Sequence, residues 1–253
     1  MKTDYNRVSK IYDERYKTSK LPGIVNKLQS ITDRDKSQKI IEIGCGTGYW
    51  LSNIDKINIL YGLDLSLGML KKAKINEGLN LFCGDANKLP IKQGIFDIVF
   101  SINAMHHFPN AKEFVLSSIN LLKHGGKFCI FATNPVDIEN EWYIFKYFKN
   151  TYQNDQKRFP AIDDILDWVE EAGYKNVKKE HSDIVINKKV NYEIFDDTFL
   201  VKDATSQLSD ITDEEYNIGI KLMKADIENN LKLNKNTEFN TILNFYMIYG
   251  EKE

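Results

Sequence analysis

The chain has 253 residues, of which 42% are hydrophobic and 28% charged, and its 34 Lys and Arg against 36 Asp and Glu leave a formal net charge of −2. This length fits one large α/β domain or one domain with a modest appendage. A charge so close to neutral argues against binding to nucleic-acid phosphates, which needs a basic surface. The first twenty residues carry charges throughout and no apolar run reaches the roughly 18 residues of a membrane span. We therefore expect neither a signal peptide nor a membrane-spanning helix.

The three cysteines, Cys45, Cys83 and Cys129, are widely spaced and form no CxxC pair. This spacing argues against a disulfide framework and against a zinc site. We therefore expect no bound metal and a reducing compartment, which predicts a cytoplasmic protein.

Short apolar runs alternate with segments of helical length through the first half of the chain. Runs rich in β-branched residues that stop at glycine or at a polar residue are typical of buried strands. The predicted strands are 39–44, 57–65, 79–85, 95–103 and 126–134, and the helical segments between them are 47–56, 66–77 and 111–123. Strands alternating with helices predict an α/β fold with a parallel sheet and right-handed crossovers. Lys123 and His124 suit the end of the third helix, with Gly125 or Gly126 as its left-handed cap.

The pattern changes after residue 134. The aromatic-rich segment 141–152 and the segment 159–174, whose apolar residues recur at helical spacing, are predicted helices. Residues 176–186 are a predicted sixth strand. An excursive segment, 187–235, contains a predicted helix at 214–231, and the apolar run 241–252 is a predicted closing strand.

The sharpest local pattern is the run from Glu42 to Gly48, with the sequence EIGCGTG, where the first strand ends. Glycines there let the backbone turn tightly and approach a ligand with no Cβ in the way. A helix that starts after the turn would present free N–H groups to a carboxylate or phosphate. A glycine-rich turn alone also fits a strand–helix connection that binds nothing.

Two further acidic residues follow neighbouring strands. Asp64 ends the second strand and can accept hydrogen bonds from both hydroxyls of a ribose. Asp85 closes the third strand, where an adenine amino group would need an acceptor. A nicotinamide or flavin dinucleotide would use the first two features equally well. However, the loop reads GxGxG and not the GxGxxG of the dinucleotide fingerprint.

In combination, these motifs resemble those of class I S-adenosylmethionine-dependent methyltransferases of the small-molecule type, similar to methyltransferase domains 11 and 25. The resemblance rests on EIGCGTG, GLDLSxxML, GDAxxLP, FDIVFSxxxxHHxF and LLKxGGKF, and it covers residues 38–134 densely. It implies a Rossmann-like, doubly wound, seven-stranded sheet with an antiparallel seventh strand, for which 241–252 is the candidate. It also implies S-adenosyl-L-methionine as the cofactor and helical elements that cover the substrate.

The resemblance assigns roles at the cofactor motif by motif. Glu42 is expected to hold the glycine loop and Asp64 the ribose, whereas Met69 is equally well explained as a plain core residue. The complete set of cofactor-binding residues expected from these motifs is Glu42, Gly44, Cys45, Gly46, Asp64, Leu65, Met69, Asp85, Ala86 and Ser101.

The N-terminal segment 5–16 matches the family's habit of folding a helix over the site. Tyr12 and Tyr16 could offer ring faces to a sulfonium, and Arg15 could pair with the cofactor carboxylate. An amphipathic helix that only packs its aromatic residues explains the same pattern.

Two histidines follow the fourth strand, where the substrate pocket of this fold opens. A histidine there can act as the general base that takes a proton from the methyl acceptor. His106 is the stronger candidate and His107 the weaker. In the alternative interpretation, the pair only shapes the loop.

We interpret 1–253 as a single methyltransferase domain with N-terminal helical cover at 1–35 and candidate substrate lids at 135–160 and 187–235. The aromatic stretch 141–152 is either core or an apolar wall for the acceptor. We expect a small molecule or short peptide as acceptor, no nucleic acid and no membrane. The alternatives are an RNA methyltransferase, a non-catalytic cofactor-binding regulatory protein, and a less favoured aminopropyl-transferring relative.

Overall fold

The computed structural model describes residues 20–33, 35–89 and 92–253, and the chain divides into two compact units. The first, which we call the sheet unit, comprises Leu21–Thr133, Pro160–Asp183 and Phe245–Glu253. The second, which we call the helical unit, contains Asn134–Phe159 and Ile184–Asn244 as well as Lys20. The candidate lid segments 135–160 and 187–235 fall almost entirely in the helical unit, and their role as lids remains a prediction.

The strands are β1 Lys39–Ile43, β2 Ile59–Asp64, β3 Leu79–Cys83, β4 Phe96–Ile102, β5 Leu122–Ala132, β6 Glu141–Trp142, β7 Lys175–Val190 and β8 Glu238–Glu251. The α-helices are α1 Pro22–Ile31, α2 Leu67–Ala73, α3 Ala111–Ser118, α4 Tyr143–Tyr147, α5 Thr151–Arg158, α6 Ile162–Glu171, α7 Ser206–Ser209 and α8 Asp213–Lys232.

The sheet unit is built on parallel strands in the order β3-β2-β1-β4-β5, followed by the antiparallel β8. The antiparallel pairing joins Lys127 to Glu251 at one end and Ala132 to Tyr246 at the other. The strand β7 pairs with β8. The predicted α/β sheet with an antiparallel closing strand is therefore confirmed, and the two-residue β6 is an addition to the predicted seven strands.

Burial explains why the central runs form strands. Ile40, Ile41, Phe100 and Phe128 have at most 1% of their surface exposed, as expected for strands covered on both faces. At the edge of the sheet, β3 leaves Phe82 40% exposed. Because β1 to β5 pair in parallel, their carboxyl ends meet at one rim of this buried sheet.

Side-chain caps fix the starts of two crossover helices. The Ser66 hydroxyl accepts the backbone N–H of Met69 at 3.3 Å to begin α2, and Asn110 accepts that of Glu113 at 3.1 Å to begin α3. Behind α3, the hydroxyl groups of Ser118 and Tyr174 lie 2.7 Å apart in the core.

Three local predictions differ from the structure. The segment 47–56 is mostly turn, with only a 3₁₀ helix at Leu51–Asn53, because Gly48 adopts a φ of +73° that an α-helix does not accept. The segment 141–152 divides into β6, α4 and the start of α5. Lys123 and His124 belong to β5 and not to a helix end, although Gly125 does take a left-handed φ of +73°.

The helical unit has its own core. The strand β6 pairs with β8 through Glu141 beside Ile242 and Trp142 beside Thr241. The long helix α8 begins at a capping box between Thr212 and Glu215.

A buried charge cluster organises the other helices of this unit. The Asp155 carboxylate is fully buried and accepts hydrogen bonds from the Arg158 guanidinium at 2.8 Å and the Gln207 amide at 2.6 Å. In the part of the chain that the structure describes, no helix is both long and apolar enough to cross a bilayer.

Candidate functional site

The glycine run forms a tight turn directly after β1. Gly44 and Gly46 adopt φ values of +77° and +53°, in the left-handed region that favours glycine. The backbone N–H groups of Gly44 and Cys45 both donate to the carbonyl oxygen of Leu63, at 2.7 and 3.0 Å. The turn is thus tied to the end of β2. Because no α-helix follows it, the expected helix-dipole contribution to ligand binding is wrong.

Asp64 holds this turn from the neighbouring strand. Its Oδ2 accepts the backbone N–H of Gly46 at 2.8 Å, and its Oδ1 accepts that of Ser66 at 2.8 Å. Burial raises the pKa of the Asp64 carboxyl above its ordinary value, and these backbone hydrogen bonds oppose the rise. Each carboxylate oxygen has a second lone pair, so Asp64 can still accept two hydroxyl groups.

The loop after β3 reaches the same place. The backbone N–H of Gly84 donates to the carbonyl oxygen of Asp64 at 3.1 Å. The next residue, Asp85, accepts the backbone N–H of Asn87 at 2.9 Å, and Ala86 is buried. Gly46, Asp64 and Asp85 therefore converge at one rim of the sheet.

Glu42 lies in β1 beneath the turn, in an unusual environment. Its side chain is fully buried, and neither carboxyl oxygen has a hydrogen-bond partner among the described residues. Burial, and then the negative charge of Asp64, raise the pKa of Glu42 well above its ordinary value. Since the loop N–H groups donate to Leu63 and Asp64 instead, Glu42 does not hold the loop by hydrogen bonds as expected.

Other acceptors without partners lie at the ends of β4 and β5. The Ser101 hydroxyl, the Asn103 side-chain oxygen and the Thr133 hydroxyl are buried and lack hydrogen-bond partners within the described part of the chain. Buried polar groups are normally paired, so such a set at one rim suits a ligand that both donates and accepts hydrogen bonds. Sequence reasoning missed Asn103 and Thr133, although a polar residue directly after each of two apolar strands was a usable signal.

Three of the expected cofactor-binding residues, Leu65, Met69 and Cys45, differ in how far their side chains are available to a ligand. Leu65 has 51% of its surface exposed and can contact a ligand, whereas Met69 has only 1% exposed, which favours its interpretation as a core residue. Cys45 is also buried, and burial raises the pKa of its thiol well above the ordinary range. Its backbone, not its sulfur, is the part available in this turn.

His106 and His107 lie in a short 3₁₀ helix, Met105–His107, that follows β4. Their ring centroids are 3.9 Å apart, with the planes tilted by 53°. Both are partly exposed, as a proton-transferring group must be to meet an acceptor. The third group of predicted site residues, Tyr12, Arg15 and Tyr16, lies outside the described residues.

The described residues contain no group of three or more His, Cys, Asp or Glu side chains placed to hold a metal ion. The rim instead combines a glycine turn, the Asp64 carboxylate and buried polar side chains that lack hydrogen-bond partners among the described residues. These groups fit an adenosine that carries an ammonium group better than they fit a cation alone.

Comparisons with known proteins agree with this geometry. A family model described as a methyltransferase domain matches residues 41–130. The chain is 25% identical over 147 residues to 2-methyl-6-phytyl-1,4-hydroquinone methyltransferase 1 of Oryza sativa subsp. japonica, a match covering 55% of this chain and 42% of the rice protein. It is 30% identical over 181 residues to an uncharacterised protein of Methanocaldococcus jannaschii, covering 66% of each. The chain therefore spans less than half of the length of the rice relative.

Among solved structures, phosphoethanolamine N-methyltransferase 2 of Haemonchus contortus in complex with S-adenosyl-L-methionine matches with a TM-score of 0.61 and 16% identity. This match covers 98% of the present chain and 57% of the Haemonchus chain. At that identity the similarity is one of fold.

Proposed function

The chain belongs to the class I S-adenosylmethionine-dependent methyltransferase family, and from that premise we propose that it transfers a methyl group to N, O or C of a small molecule or short peptide. The observation that carries the proposal is the convergence of the Gly44–Gly46 turn with the Asp64 carboxylate, beside the unpaired buried acceptors of the same rim.

The cofactor S-adenosylmethionine supplies, when bound, an electrophilic methyl group on a sulfonium, so the protein mainly supplies alignment. Asp64 accepts the ribose hydroxyls with the lone pairs that Gly46 and Ser66 leave open. Glu42 offers a buried carboxylate to an ammonium group, whose charge would compensate the cost of burying Glu42. The glycine turn brings backbone close to the ligand with no side chain in the way.

His106 is the group proposed to take a proton from the acceptor. An acceptor that is protonated at its nucleophilic atom cannot attack, and a histidine beside the pocket accepts a proton near neutral pH. Acceptors that are already nucleophilic would not need this step, so the demand on His106 depends on the acceptor.

Mass spectrometry of host extract incubated with the protein and isotopically labelled S-adenosylmethionine tests the function. We expect a labelled small molecule or peptide that is absent when Asp64→Asn protein replaces the wild type. Label found only in RNA would move the acceptor to nucleic acid. Tight binding of S-adenosylhomocysteine with no labelled product in any fraction would favour a regulatory, non-catalytic protein.

Cysteine usage supports a cytoplasmic location for this activity. Cys45 and Cys129 are buried, Cys83 is exposed, and all three thiols are free.

A further inference from the structure

The helical unit contains a cavity of about 480 Å³, all of whose lining residues belong to that unit. Aromatic side chains form much of its wall, and the charged residues that line it are Glu141, Lys146 and Glu238. None of these residues takes part in the cofactor rim described above. The cavity therefore needs an explanation of its own.

Core packing explains only part of this aromatic wall. Tyr143 and Tyr147 each have 5% of their surface exposed and are ordinary core residues, whereas Tyr152 has 38% exposed. Phe145 makes edge-to-face contacts with both Trp142 and Tyr152, at centroid distances of 5.7 and 5.4 Å. In these edge-to-face contacts, the face of one ring lies beside the edge of the next.

The charges around the cavity are mostly neutralised within the protein. The Lys146 ammonium donates to the Asp226 carboxylate at 2.9 Å, and Glu238 forms an ion pair with Lys188 at 2.8 Å. Glu141 is different, since its Oε1 accepts only the Asn240 amide at 3.1 Å and no cation neutralises it among the described residues. Among the described residues, Glu141 is therefore the one charged group of the cavity lining without an oppositely charged partner.

The protein itself places a cation on this wall. The Lys146 ammonium lies 4.7 Å from the centroid of the Tyr147 ring, and it donates a hydrogen bond to the Tyr147 hydroxyl at 2.9 Å, so it lies toward the hydroxyl end of that ring. Aromatic faces attract cations, and a nearby carboxylate adds to that attraction. Aromatic rings, among them those of Phe145 and Tyr152, and the Glu141 carboxylate line this same cavity.

We propose that this cavity binds an organic ammonium ion, held by the ring faces of Phe145 and Tyr152 and by the Glu141 carboxylate. The ligand chemistry is that of a protonated or quaternary amine small enough for about 480 Å³. It is either the amine that accepts a methyl group or an ammonium ligand that does not react. Binding does not require the proposed methyl transfer.

Equilibrium dialysis of the wild-type protein with isotopically labelled choline tests the binding. Choline is a quaternary ammonium ion, and 3,3-dimethyl-1-butanol is its neutral analogue of nearly equal shape. We expect saturable choline binding that the neutral analogue displaces at least about 5-fold less well, since only a cation gains from the rings and the carboxylate. Equal displacement by the two compounds, or no saturable choline binding, would overturn the proposal.

Matched variants separate the site from general damage to the fold. Tyr152→Leu and Glu141→Gln should each weaken choline binding about 2- to 5-fold, whereas Tyr152→Phe, which keeps a ring face, should retain it. Tyr192→Leu and Glu228→Gln, at exposed positions of the same unit outside the cavity, should change nothing. Equal weakening by Tyr192→Leu and Tyr152→Leu would contradict the assignment.

A second arm identifies the source of the ligand. N,N-dimethylethanolamine is an ammonium ion in water but can still accept a methyl group at nitrogen, which choline cannot. Displacement of choline by this amine supports the proposed site, whether or not the amine is methylated. Transfer of labelled methyl to the amine makes it the acceptor, and binding without transfer makes the ligand a non-reacting one. Failure of the methyltransferase proposal would thus leave the dialysis result unchanged.

Discussion

A Cβ atom on Gly44 would lie 2.5 Å from the Cβ atom of Ala104, closer than two such atoms can approach. The turn after β1 and the loop after β4 are therefore in direct contact at Gly44, where both the neighbouring Ala104 and the backbone φ of +77° exclude a side chain. This contact fixes the two loops relative to each other at the rim of the sheet.

The variant Gly44→Ala should destabilise the protein and weaken cofactor binding. A left-handed φ costs an alanine about 1–2 kcal/mol, and the collision with Ala104 adds about 1–3 kcal/mol of overpacking. Urea unfolding measures the loss of stability, and calorimetry with S-adenosylhomocysteine measures the loss of cofactor affinity. Gly125→Ala is the matched control, because Gly125 has a φ of +73° but no atom within 4 Å of its added Cβ. If the two variants were equally destabilised, the contact with Ala104 would have no energetic role.

The variant Asp64→Asn should bind S-adenosylhomocysteine about 10- to 150-fold more weakly, since hydrogen bonds to a charged group contribute about 1.5–3 kcal/mol. In the wild type, each carboxylate oxygen of Asp64 accepts one backbone N–H group, from Gly46 or Ser66, whereas asparagine has a single side-chain oxygen for both. Asp97→Asn is the control: Asp97 likewise accepts a backbone N–H, from Lys39 at 2.7 Å, but at the opposite end of the strands. A dissociation constant for Asp64→Asn within twofold of wild type would disprove the ribose role.

The variant Glu42→Gln should have opposite effects on stability and on binding. Because the pKa of Glu42 is raised in the folded state, the folded wild type retains a proton that the unfolded chain has already lost. The contribution of Glu42 to the free energy of unfolding is therefore fully present at acidic pH. It falls by about 1.4 kcal/mol for each pH unit above glutamate's ordinary pKa, until the folded pKa is reached.

Glutamine does not titrate, so the variant should gain stability relative to wild type as pH rises from 5 to 8, while its affinity for S-adenosylhomocysteine falls. Urea unfolding at three pH values and calorimetry at the highest provide the two measurements. The control Glu77→Gln, at an exposed position, should show neither trend. A stability difference that stays constant across this pH range would show that Glu42 is compensated in the folded protein.

The variant His106→Ala should lower turnover by about 10²–10⁴-fold if His106 is the general base, with binding of S-adenosylhomocysteine unchanged. His107→Ala, in the adjacent ring, is the comparison. Unchanged turnover in His106→Ala would leave the histidine pair as a loop-shaping element.

Much of the fold could be predicted from the sequence because the strands are runs of apolar residues that the structure buries completely. Ile40, Ile41 and Phe100 lie in strands within a residue or two of the predicted ranges. Periodicity failed where backbone conformation decides the structure. Gly48 turns the chain out of a helix, and Asn150 adopts a φ of +68° that separates α4 from α5.

The relative positions of two predicted site residues, Asp64 and Asp85, were predictable in the same way. Asp64 and Asp85 follow strands, and parallel strands bring their carboxyl ends together, so their convergence required only the correct sheet. The lack of a hydrogen-bond partner for Glu42 among the described residues could not be predicted, because which N–H group a carboxylate meets depends on the exact path of the turn. Asn103 and Thr133 escaped notice because a polar residue after a strand is common, and only its burial without a partner makes it informative.

The interleaving of the two units has a practical outcome for anyone who wishes to dissect this protein. The chain passes between them at residues 20 and 21, 133 and 134, 159 and 160, 183 and 184, and 244 and 245. Neither unit is a contiguous fragment, and β7 and β8 each have residues in both. Truncation cannot liberate the sheet unit; an excised version would need new covalent junctions joining Thr133 to Pro160 and Asp183 to Phe245.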